Sequence, residues 1–424
     1  MKKMQPVGKL AAAALLALLV PQATMAADMS AFLENLDLGK SGVFSDISTV
    51  RAPKAPWSPS HTPARPPQPK PAPNPGGGSS AGSVSLNGTT LPSFIFTGRG
   101  GDVSAQVAAA IDASRISVNV ALYTLTLPNV ADSLVRAKQR GVAVQVVYDF
   151  GHSSSAGGAS VGSQPSAGAS EKIGQLLSAG IPVRVLRGSG PYGIMHNKFA
   201  VIDGQLVETG SFNWTTAADT KNHENALFRT DGNLIADYQA YFDWMWRQAG
   251  QAGGGSAPGP TGTPPSCADG PSALGRTWPE CSFSPGGPTE ALIAQAIGLA
   301  KTRVHIAMFS FTSPSIVQAI IAANNRGVDV MLVFDRLQAK TEAGLKPLQD
   351  AGVPYRLNSG LGGSGGVLHD KFGLFDDLLE TGSFNYTTNA SQNNFENAFF
   401  SSASSDLDGY ESEFQAIYAE GSNS

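Results

Sequence analysis

Two stretches of this chain repeat one another closely: "MHNKFAVIDGQLVETGSFNWT" is residues 195–215, and "LHDKFGLFDDLLETGSFNYT" is residues 368–387. In each stretch a histidine is followed two residues later by a lysine, and five residues after the lysine by an aspartate. Both copies contain "ETGSFN" and are followed by an "ENA" tripeptide. Chance does not repeat a pattern of this length, so the 424-residue chain is predicted to contain two homologous halves.

The similarity of the two halves extends upstream of this motif. Each half shows an apolar strand, a helix that ends at a glycine, a second strand, a further helix and a third strand, and a last helix follows the motif. The strand runs are nearly continuous and β-branched, as in strands that crossover helices cover on both faces. The pattern predicts an α/β fold that occurs twice. The matching segments are "RISVNVALYTL" and "TRVHIAMFSF", "GVAVQVVYDF" and "GVDVMLVFDR", and "AGIPVRVL" and "AGVPYRLN".

Composition shifts divide the chain outside these halves. Residues 1–26 combine a lysine-rich start, an eleven-residue apolar run and a small-residue cleavage pattern, which predicts a signal peptide and a secreted or periplasmic protein. Residues 27–82 are predicted to be a Pro/Gly-rich tether, and residues 251–281 a linker. The repeats are expected at residues 83–250 and 282–424.

The only two cysteines, Cys267 and Cys281, lie fourteen residues apart inside the linker. In an exported protein two such cysteines are expected to form a disulfide. A metal or redox pair is the alternative, but the spacing and the lack of a nearby histidine argue against it. No Asp/Glu/His ligand cluster stands out elsewhere, so neither a metal nor a cofactor is predicted.

The paired motif predicts one composite site to which each half gives a histidine and a lysine. One imidazole can attack a phosphorus atom while the other protonates the leaving oxygen, and the two lysines can neutralise the phosphate oxygens. Each imidazole needs a partner on its other nitrogen, so we expect Glu224 to orient His196, and Glu396 is the matching candidate for His369. The candidate catalytic residues are His196, Lys198, Asp203, Glu224, His369, Lys371, Asp376 and Glu396. The candidate phosphate donors besides the lysines are Ser211, Asn213, Ser383 and Asn385.

Within this set the aspartates are interpreted as framework residues, because Asp203 and Asp376 lie one strand length from the lysines. Trp214 and Tyr386 follow the asparagines, where they either line the site or pack in the core. His152, in the polar stretch 151–170, is expected to be a solvated loop residue, with a ligand contact as the alternative. His223 and His305 are expected to be structural, because their counterparts in the other half are not histidines but Phe395 and Asn119.

The doubled His-x-Lys-x4-Asp pattern with its following Gly-Ser and Asn resembles the phospholipase D superfamily, over both halves of the chain. The resemblance implies two α/β/α sandwich repeats with mixed sheets, related by a pseudo-twofold axis. It also implies a covalent phosphohistidine intermediate and no catalytic metal. By the same resemblance His196 is assigned as the nucleophile and His369 as the general acid and base. A single chain with both motifs is expected to be a monomer that acts as an internal pseudo-dimer.

Membership of this superfamily leaves the substrate open. Hydrolysis of a phospholipid such as phosphatidylcholine, with peripheral contact to a membrane, is the first expectation. A nuclease is the alternative, because "ETGSFN" and "ENA" resemble small bacterial endonucleases of the superfamily, and an inactive phosphodiester-binding module is a third. The net charge of −4 and pI of about 5.9 favour the lipid over a long nucleic acid, which needs a basic groove.

Overall fold

The computed structural model describes residues 82–153, 167–253, 256–361 and 365–423. The predicted signal peptide and nearly all of the predicted tether lie outside the described residues, as does most of the polar stretch 151–170. Among the described residues no helix is long and apolar enough to cross a membrane.

The described chain alternates strands and helices in the same order in both halves. The strands are β1 (Ser83–Leu86), β2 (Thr89–Pro92), β3 (Phe94–Phe96), β4 (Ser117–Leu122), β5 (Ala143–Asp149), β6 (Val183–Leu186), β7 (Lys198–Ile202), β8 (Leu206–Gly210), β9 (Asn225–Arg229), β10 (Gly250–Gln251), β11 (Asp269–Ala273), β12 (Arg276–Pro279), β13 (Cys281–Ser284), β14 (Arg303–Met308), β15 (Asp329–Asp335), β16 (Tyr355–Asn358), β17 (Lys371–Phe375), β18 (Leu378–Gly382), β19 (Glu396–Ser401) and β20 (Ser422–Asn423). The helices are α1 (Val103–Asp112), α2 (Pro128–Gln139), α3 (Phe150–Ser153), α4 (Ala167–Ser178), α5 (Thr216–Thr220), α6 (Gly232–Gln248), α7 (Thr289–Leu299), α8 (Pro314–Asn325), α9 (Leu345–Asp350), α10 (Thr388–Gln392) and α11 (Ser404–Glu420).

Each half builds one eight-stranded mixed sheet. The first sheet has the order β10-β6-β5-β4-β7-β8-β9-β3, and the second has β13-β19-β18-β17-β14-β15-β16-β20, which is the same order read from the other edge. In both sheets the three strands ahead of the motif pair in parallel, and the motif strands pair antiparallel to them and to each other. This confirms the predicted pair of α/β repeats with mixed sheets.

Three apolar cores explain why the strands are apolar on both faces. Along β7, Phe199 and Val201 face a core that both halves share, while Ala200 and Ile202 face a separate outer core of the first half. Helices α1 and α2 line that outer core, and α7 and α8 line its counterpart in the second half. The shared core lies between the sheets and contains the buried faces of α6 and α11. The two halves therefore pack as one body around the motif strands.

The structure adds strands that the sequence patterns did not predict. The "ENA" segments are β9 and β19, each fully buried beside the motif hairpin. The predicted linker 251–281 contains the β11–β12 hairpin, and its two cysteines form a disulfide. Within residues 251–281, predicted to be a linker with a Cys267–Cys281 loop, the structure thus has an ordered hairpin and this disulfide.

Candidate functional site

Each histidine is placed by the backbone of the opposite half. The amide of His196 donates to the carbonyl of Phe395 at 2.9 Å, and the amide of His369 donates to the carbonyl of His223 at 3.0 Å. Phe395 and His223 immediately precede the glutamates of the "ENA" segments. Each histidine is thereby set beside the glutamate of the other half.

The histidine–glutamate pairs are therefore formed across the halves. His196 Nδ1 lies 2.8 Å from Glu396 Oε2, and His369 Nδ1 lies 2.8 Å from Glu224 Oε2. This corrects the expected pairing of Glu224 with His196 in the same half. The reason is that the chain ahead of each glutamate pairs with the histidine segment of the opposite half, which brings the carboxylate across the interface.

Serine and asparagine side chains hold each glutamate in place. Ser211 Oγ donates to Glu224 at 2.7 Å, and Ser383 Oγ donates to Glu396 at 2.6 Å. The hydroxyl proton of each serine is therefore engaged with a carboxylate in this structure, and a role of the serines as donors to a substrate phosphate stays a prediction. A third donor to each glutamate comes from Asn222 (3.2 Å) and Asn394 (2.9 Å).

The glycine before each serine is required by a close approach of two backbones. Gly210 and Gly382 have φ of +148° and +154°, a conformation that side chains with a Cβ rarely adopt. A Cβ on either glycine would stand 2.4 Å from the carbonyl oxygen of Asn225 or Asn397 in the next strand. The Gly-Ser pair thus lets the hydroxyl reach the glutamate on the neighbouring strand.

The two lysines are fully buried behind the histidines. Lys198 Nζ donates to the carbonyl of His196 at 2.6 Å, and Lys371 Nζ donates to that of His369 at 2.5 Å. Burial lowers the pKa of both lysines, and Glu224 and Glu396 oppose that shift at each of them, so each lysine lies near carboxylates of both halves. Two histidines and two lysines consequently form one site between the halves.

Protonation in this site follows from burial. Burial lowers the pKa of His196 and of His369 to about 4, against the opposite pull of the paired carboxylates. Burial would raise the pKa of Glu224 and Glu396, but the adjacent imidazole and lysine outweigh it and lower both. At neutral pH each imidazole is therefore neutral. Its Nδ1–H donates a hydrogen bond to a carboxylate, and its Nε2 lone pair stays available.

Burial also acts on the lysines. It lowers the pKa of Lys198 well below its ordinary value and that of Lys371 to about 8. The ammonium charge of Lys371 is thus retained at neutral pH and lost in moderately alkaline solution.

Aromatic rings line the two half-sites differently. The Tyr123 ring lies 4.9 Å from the ring of His196, and the Phe309 ring lies 4.7 Å from that of His369. His152 packs 4.3 Å from the Tyr123 ring and is held by Asp149 at 3.1 Å. His152 is 5% exposed, so the expectation of a solvated loop residue is corrected.

The motif aspartates lie away from the reacting groups. Asp203 accepts backbone N–H bonds from Arg115, Ile116 and Ser117, and Asp376 accepts them from residues 301–303. Lys198 and Asp203 are separated by a strand of about 16 Å, at roughly 3.3 Å per residue. The placement agrees with a framework role and does not agree with direct catalysis.

The remaining predicted residues lie at the edge of the site or beneath it. Asn213 and Asn385 are half-buried, and Asn385 Oδ1 accepts from the Ser310 amide at 3.3 Å, next to Phe309. Trp214 and Tyr386 are completely buried in the outer cores, so core packing is the alternative that holds.

Sequence reasoning missed residues that fix the site backbone. Asp149 accepts from the amide of Met195 at 2.9 Å, and Asp335 accepts from that of Leu368 at 3.0 Å. Each aspartate is the last residue of the second parallel strand of its half. Its occurrence at the same place in both halves was a signal in the sequence that could have identified it. The repeated Asn-x-Glu-Asn was the corresponding signal for Asn222 and Asn394.

A protein-family model and several known proteins are similar to this chain. The family model "Cardiolipin synthase, PLD-like domain" matches residues 107–246 and 293–418. The mitochondrial cardiolipin hydrolase of Xenopus tropicalis is 35% identical over 132 residues, which are 31% of this chain and 55% of that protein. The human mitochondrial cardiolipin hydrolase is 34% identical over 139 residues, 33% of this chain and 49% of that protein. The chain thus spans about half the length of these curated relatives.

A solved structure shares the fold over most of both chains. The phosphatidylserine synthase of Haemophilus influenzae is 14% identical, with a TM-score of 0.59, over 78% of this chain and 87% of that one. At this identity the likeness concerns the fold alone.

The relatives also correct one expectation. The curated relatives are named mitochondrial, which contradicts the secreted or periplasmic location expected from residues 1–26. A positive and apolar N-terminus is shared by several kinds of targeting segment, so its pattern was a weak guide to location. The family itself is clear from the doubled motif, the two mixed sheets and a family model that matches more than half of the residues: the chain belongs to the phospholipase D superfamily.

Proposed function

We propose that this protein is a phosphodiesterase that hydrolyses the phosphodiester bond of a phospholipid through a phosphohistidine intermediate. The observation that carries the proposal is the composite site, in which each half supplies one histidine, one lysine and the glutamate of the opposite histidine. A site with two oriented imidazoles and two ammonium groups suits attack on phosphorus and protonation of a leaving oxygen.

In the first step His196 acts as the nucleophile. Its Nε2 lone pair forms a bond to phosphorus while the bond from phosphorus to the leaving alcohol oxygen breaks. Glu396 accepts the Nδ1 proton in a hydrogen bond and stabilises the positive charge that develops on the ring. His369 donates a proton to the leaving oxygen.

The proton on His369 is supplied when substrate binds. In the empty site both imidazoles are neutral at pH 7, because burial lowers the pKa of each to about 4. A bound phosphodiester carries a negative charge, and a nearby negative charge favours the protonated form of an imidazole. Glu224, on the other nitrogen of His369, favours the same form.

In the second step water breaks the phosphorus–nitrogen bond. The neutral His369 takes a proton from the water, whose oxygen bonds to phosphorus, and His196 leaves as a neutral ring. Lys198 and Lys371 stabilise the negative charge on the non-bridging oxygens in both steps. Donors that point at a developing charge lower the free energy of the transition state in this way. The half-buried amides of Asn213 and Asn385 supply further donors at the edge of the site.

Two observations favour a lipid as the substrate. The curated relatives are named cardiolipin hydrolases. In addition, residues 282–424 hold eight Lys or Arg and fifteen Asp or Glu, while residues 83–250 hold twelve of each. Such a balance is a poor electrostatic footprint for a long nucleic acid, which needs a basic groove.

The test compares three substrates under the same conditions. Purified full-length protein is incubated with vesicles that contain cardiolipin, with vesicles of phosphatidylcholine, and with plasmid DNA. We expect release of phosphatidic acid from a lipid, and transfer of the phosphatidyl group when a primary alcohol is added. Cleavage of DNA without lipid hydrolysis would assign the same chemistry to a nuclease, and no turnover of any substrate would favour a binding module.

Two histidine variants test the mechanism. His196→Ala and His369→Ala should each lower kcat by about 10³-fold or more, because neither attack nor protonation has a substitute. The matched control is His305→Asn, since His305 lies at the strand position that Asn119 occupies in the other half. Rapid-quench labelling should find phosphate on the peptide with His196, and label on the His369 peptide would reverse the two roles.

A further inference from the structure

A second cluster of ionisable groups lies directly behind the second motif. His223, Asp370 and Glu413 each offer one ligand atom, and these atoms all lie within 4.8 Å of one another. The three residues are at most 1% exposed. Asp370 stands between His369 and Lys371, yet its side chain points away from the reacting groups, toward Glu413 on α11.

Two of the three atoms have no partner. Among the described residues, His223 Nδ1 and Asp370 Oδ2 accept or donate no hydrogen bond, and Glu413 Oε1 lies 3.9 Å from the His223 nitrogen. A buried polar atom without a partner is destabilising, and a buried carboxylate more so. A positively charged ligand would therefore supply the partner that these two buried atoms lack.

The opposite atom of each side chain is held by a hydrogen bond. Glu420 lies 2.9 Å from His223 Nε2, Asn225 donates to Asp370 Oδ1 at 2.8 Å, and Arg99 donates to Glu413 Oε2 at 2.7 Å. A carboxylate on Nε2 fixes the proton there and leaves the Nδ1 lone pair facing the cluster. A carboxylate on the distal nitrogen is the usual arrangement around a metal-binding histidine.

The pseudo-symmetric counterparts of these three residues, two in the first half and one in the second, carry no charge. Asn197 follows His196 as Asp370 follows His369, and Phe395 precedes Glu396 as His223 precedes Glu224. Tyr241 is the tenth residue of α6, as Glu413 is of α11. Since Asn197 Nδ2 simply donates to the Tyr241 hydroxyl at 3.3 Å, the fold does not require charges here.

A glycine keeps the space beside the cluster open. A Cβ on Gly98 would stand 2.6 Å from His223 Nδ1 and 2.7 Å from Glu413 Oε1. Gly98 is not among the glycines with positive φ, so its backbone would accept another residue. The glycine is needed for room next to two of the ligand atoms.

We propose that His223, Asp370 and Glu413 bind a divalent metal ion, of which Zn²⁺ is the first to test. One imidazole nitrogen and two carboxylate oxygens are a ligand set that Zn²⁺ accepts. The ion joins the first half, through His223, to the second half, through Asp370 and Glu413, and it is structural because it does not touch the phosphodiester.

The first experiment measures metal content in the full-length protein. The protein is stripped with chelator, reloaded with Zn²⁺ and freed of loose metal, and zinc is then counted by mass spectrometry. We expect about one ion per wild-type chain and a melting temperature that rises on loading, because the ion binds the folded state. Asp370→Asn and Glu413→Gln should each lose most of the bound zinc and the rise in melting temperature.

The control is Glu411→Gln on the same helix, whose carboxylate pairs with His305 on the other side of α11 and whose variant should keep the ion. Zinc retained by folded Asp370→Asn and Glu413→Gln would overturn the site, as would a wild-type chain that holds no zinc after reloading.

A second measurement needs no variant. The zinc X-ray absorption spectrum of the wild-type protein should show only nitrogen and oxygen ligands at about 2.0–2.2 Å, including one imidazole. Sulfur ligands would place the ion at Cys267 and Cys281 and would contradict the proposal. Neither measurement depends on turnover. The proposed metal site can therefore be disproved while the proposed phosphodiesterase activity is confirmed, and the activity can be disproved while the metal site is confirmed.

Discussion

At the scale of single residues, the most consequential contact is the one between each histidine and a glutamate of the other half. The glutamate accepts a hydrogen bond from Nδ1–H and leaves the Nε2 lone pair free, so one contact sets both the tautomer and the ring orientation. Because the carboxylate comes from the other half, neither half holds a complete catalytic group. The site is composite even before the two histidines are considered together.

The low pKa of the imidazoles predicts an acidic optimum. The proposed reaction needs one neutral and one protonated imidazole, and both are neutral above a pH of about 4 in the empty site. We therefore expect kcat/KM to rise as pH falls from 7 toward about 5, and to fall again below about 4, where the nucleophile is protonated. Above a pH of about 8 Lys371 also loses its charge, so the decline should steepen there.

The pH profile is measured with a soluble phosphodiester, so that vesicle charge does not change with pH. Asp112→Asn, which alters a surface ion pair with Arg136, is the control and should leave the profile unchanged. A rate that stays flat between pH 5 and 8 would contradict the assignment of two neutral imidazoles.

The crossed pairing predicts which histidine each glutamate controls. Glu396→Gln removes the charge beside His196, so kcat should fall by about 10²-fold with little change in KM. Histidine NMR should show the altered Nδ1 proton on His196, while that of His369 keeps its signal. A change confined to His369 would mean that each glutamate serves its own half.

At the scale of secondary-structure elements, the motif is a hairpin with the chemistry at one end and an aspartate at the other. Asp203 and Gly204 both have positive φ and are the central residues of the turn between β7 and β8, across which the Gln205 amide donates to the carbonyl of Ile202 at 2.9 Å. The Asp203 carboxylate then binds three backbone amides ahead of β4. The spacing from lysine to aspartate, which both halves share, is the length of strand β7 in the first half.

A framework role for Asp203 predicts a loss of stability larger than the loss of chemistry. Asp203→Asn tolerates the left-handed turn but weakens the charge-assisted bonds to the amides, and should cost about 1–3 kcal/mol in the free energy of unfolding. The kcat of the folded variant should stay within about tenfold of wild type. Denaturant unfolding and initial rates test this, and a variant of normal stability with about 10³-fold lower kcat would make Asp203 catalytic.

At the scale of the whole molecule, the two halves bury one shared core and build one site in a single chain. Asn197 and Asn397 bridge the halves at 2.8 Å, and the motif strands of both lie against the same buried face of α6 and α11. One chain thus contains both histidine–lysine motifs, which two identical chains would otherwise have to supply together.

A site complete within one chain predicts no rescue between chains. A mixture of His196→Ala and His369→Ala proteins should remain inactive, because no single molecule then has both imidazoles. Light scattering should give the mass of one chain for the wild type. Recovery of activity in the mixture would show that chains exchange halves, and the monomer would then be wrong.

The amino-acid sequence determined the features that local patterns encode. Apolar β-branched runs specify buried strands through their own side chains, and the doubled motif names the reacting groups and their spacing along a strand. For this reason the two α/β repeats, the two histidines and the two lysines were all predicted. The set of predicted strands was incomplete. Strands β9 and β19 begin with polar residues and contain no apolar run that marks a strand, so they were not predicted.

Only the tertiary structure decided which residues meet. His196 and Glu396 are 200 residues apart, and His369 and Glu224 are 145 apart. Their pairing depends on how the two sheets pack, which no local pattern encodes. The same packing placed His152 against the site and brought His223, Asp370 and Glu413 to one point, although in sequence each stands in an ordinary polar or helical stretch.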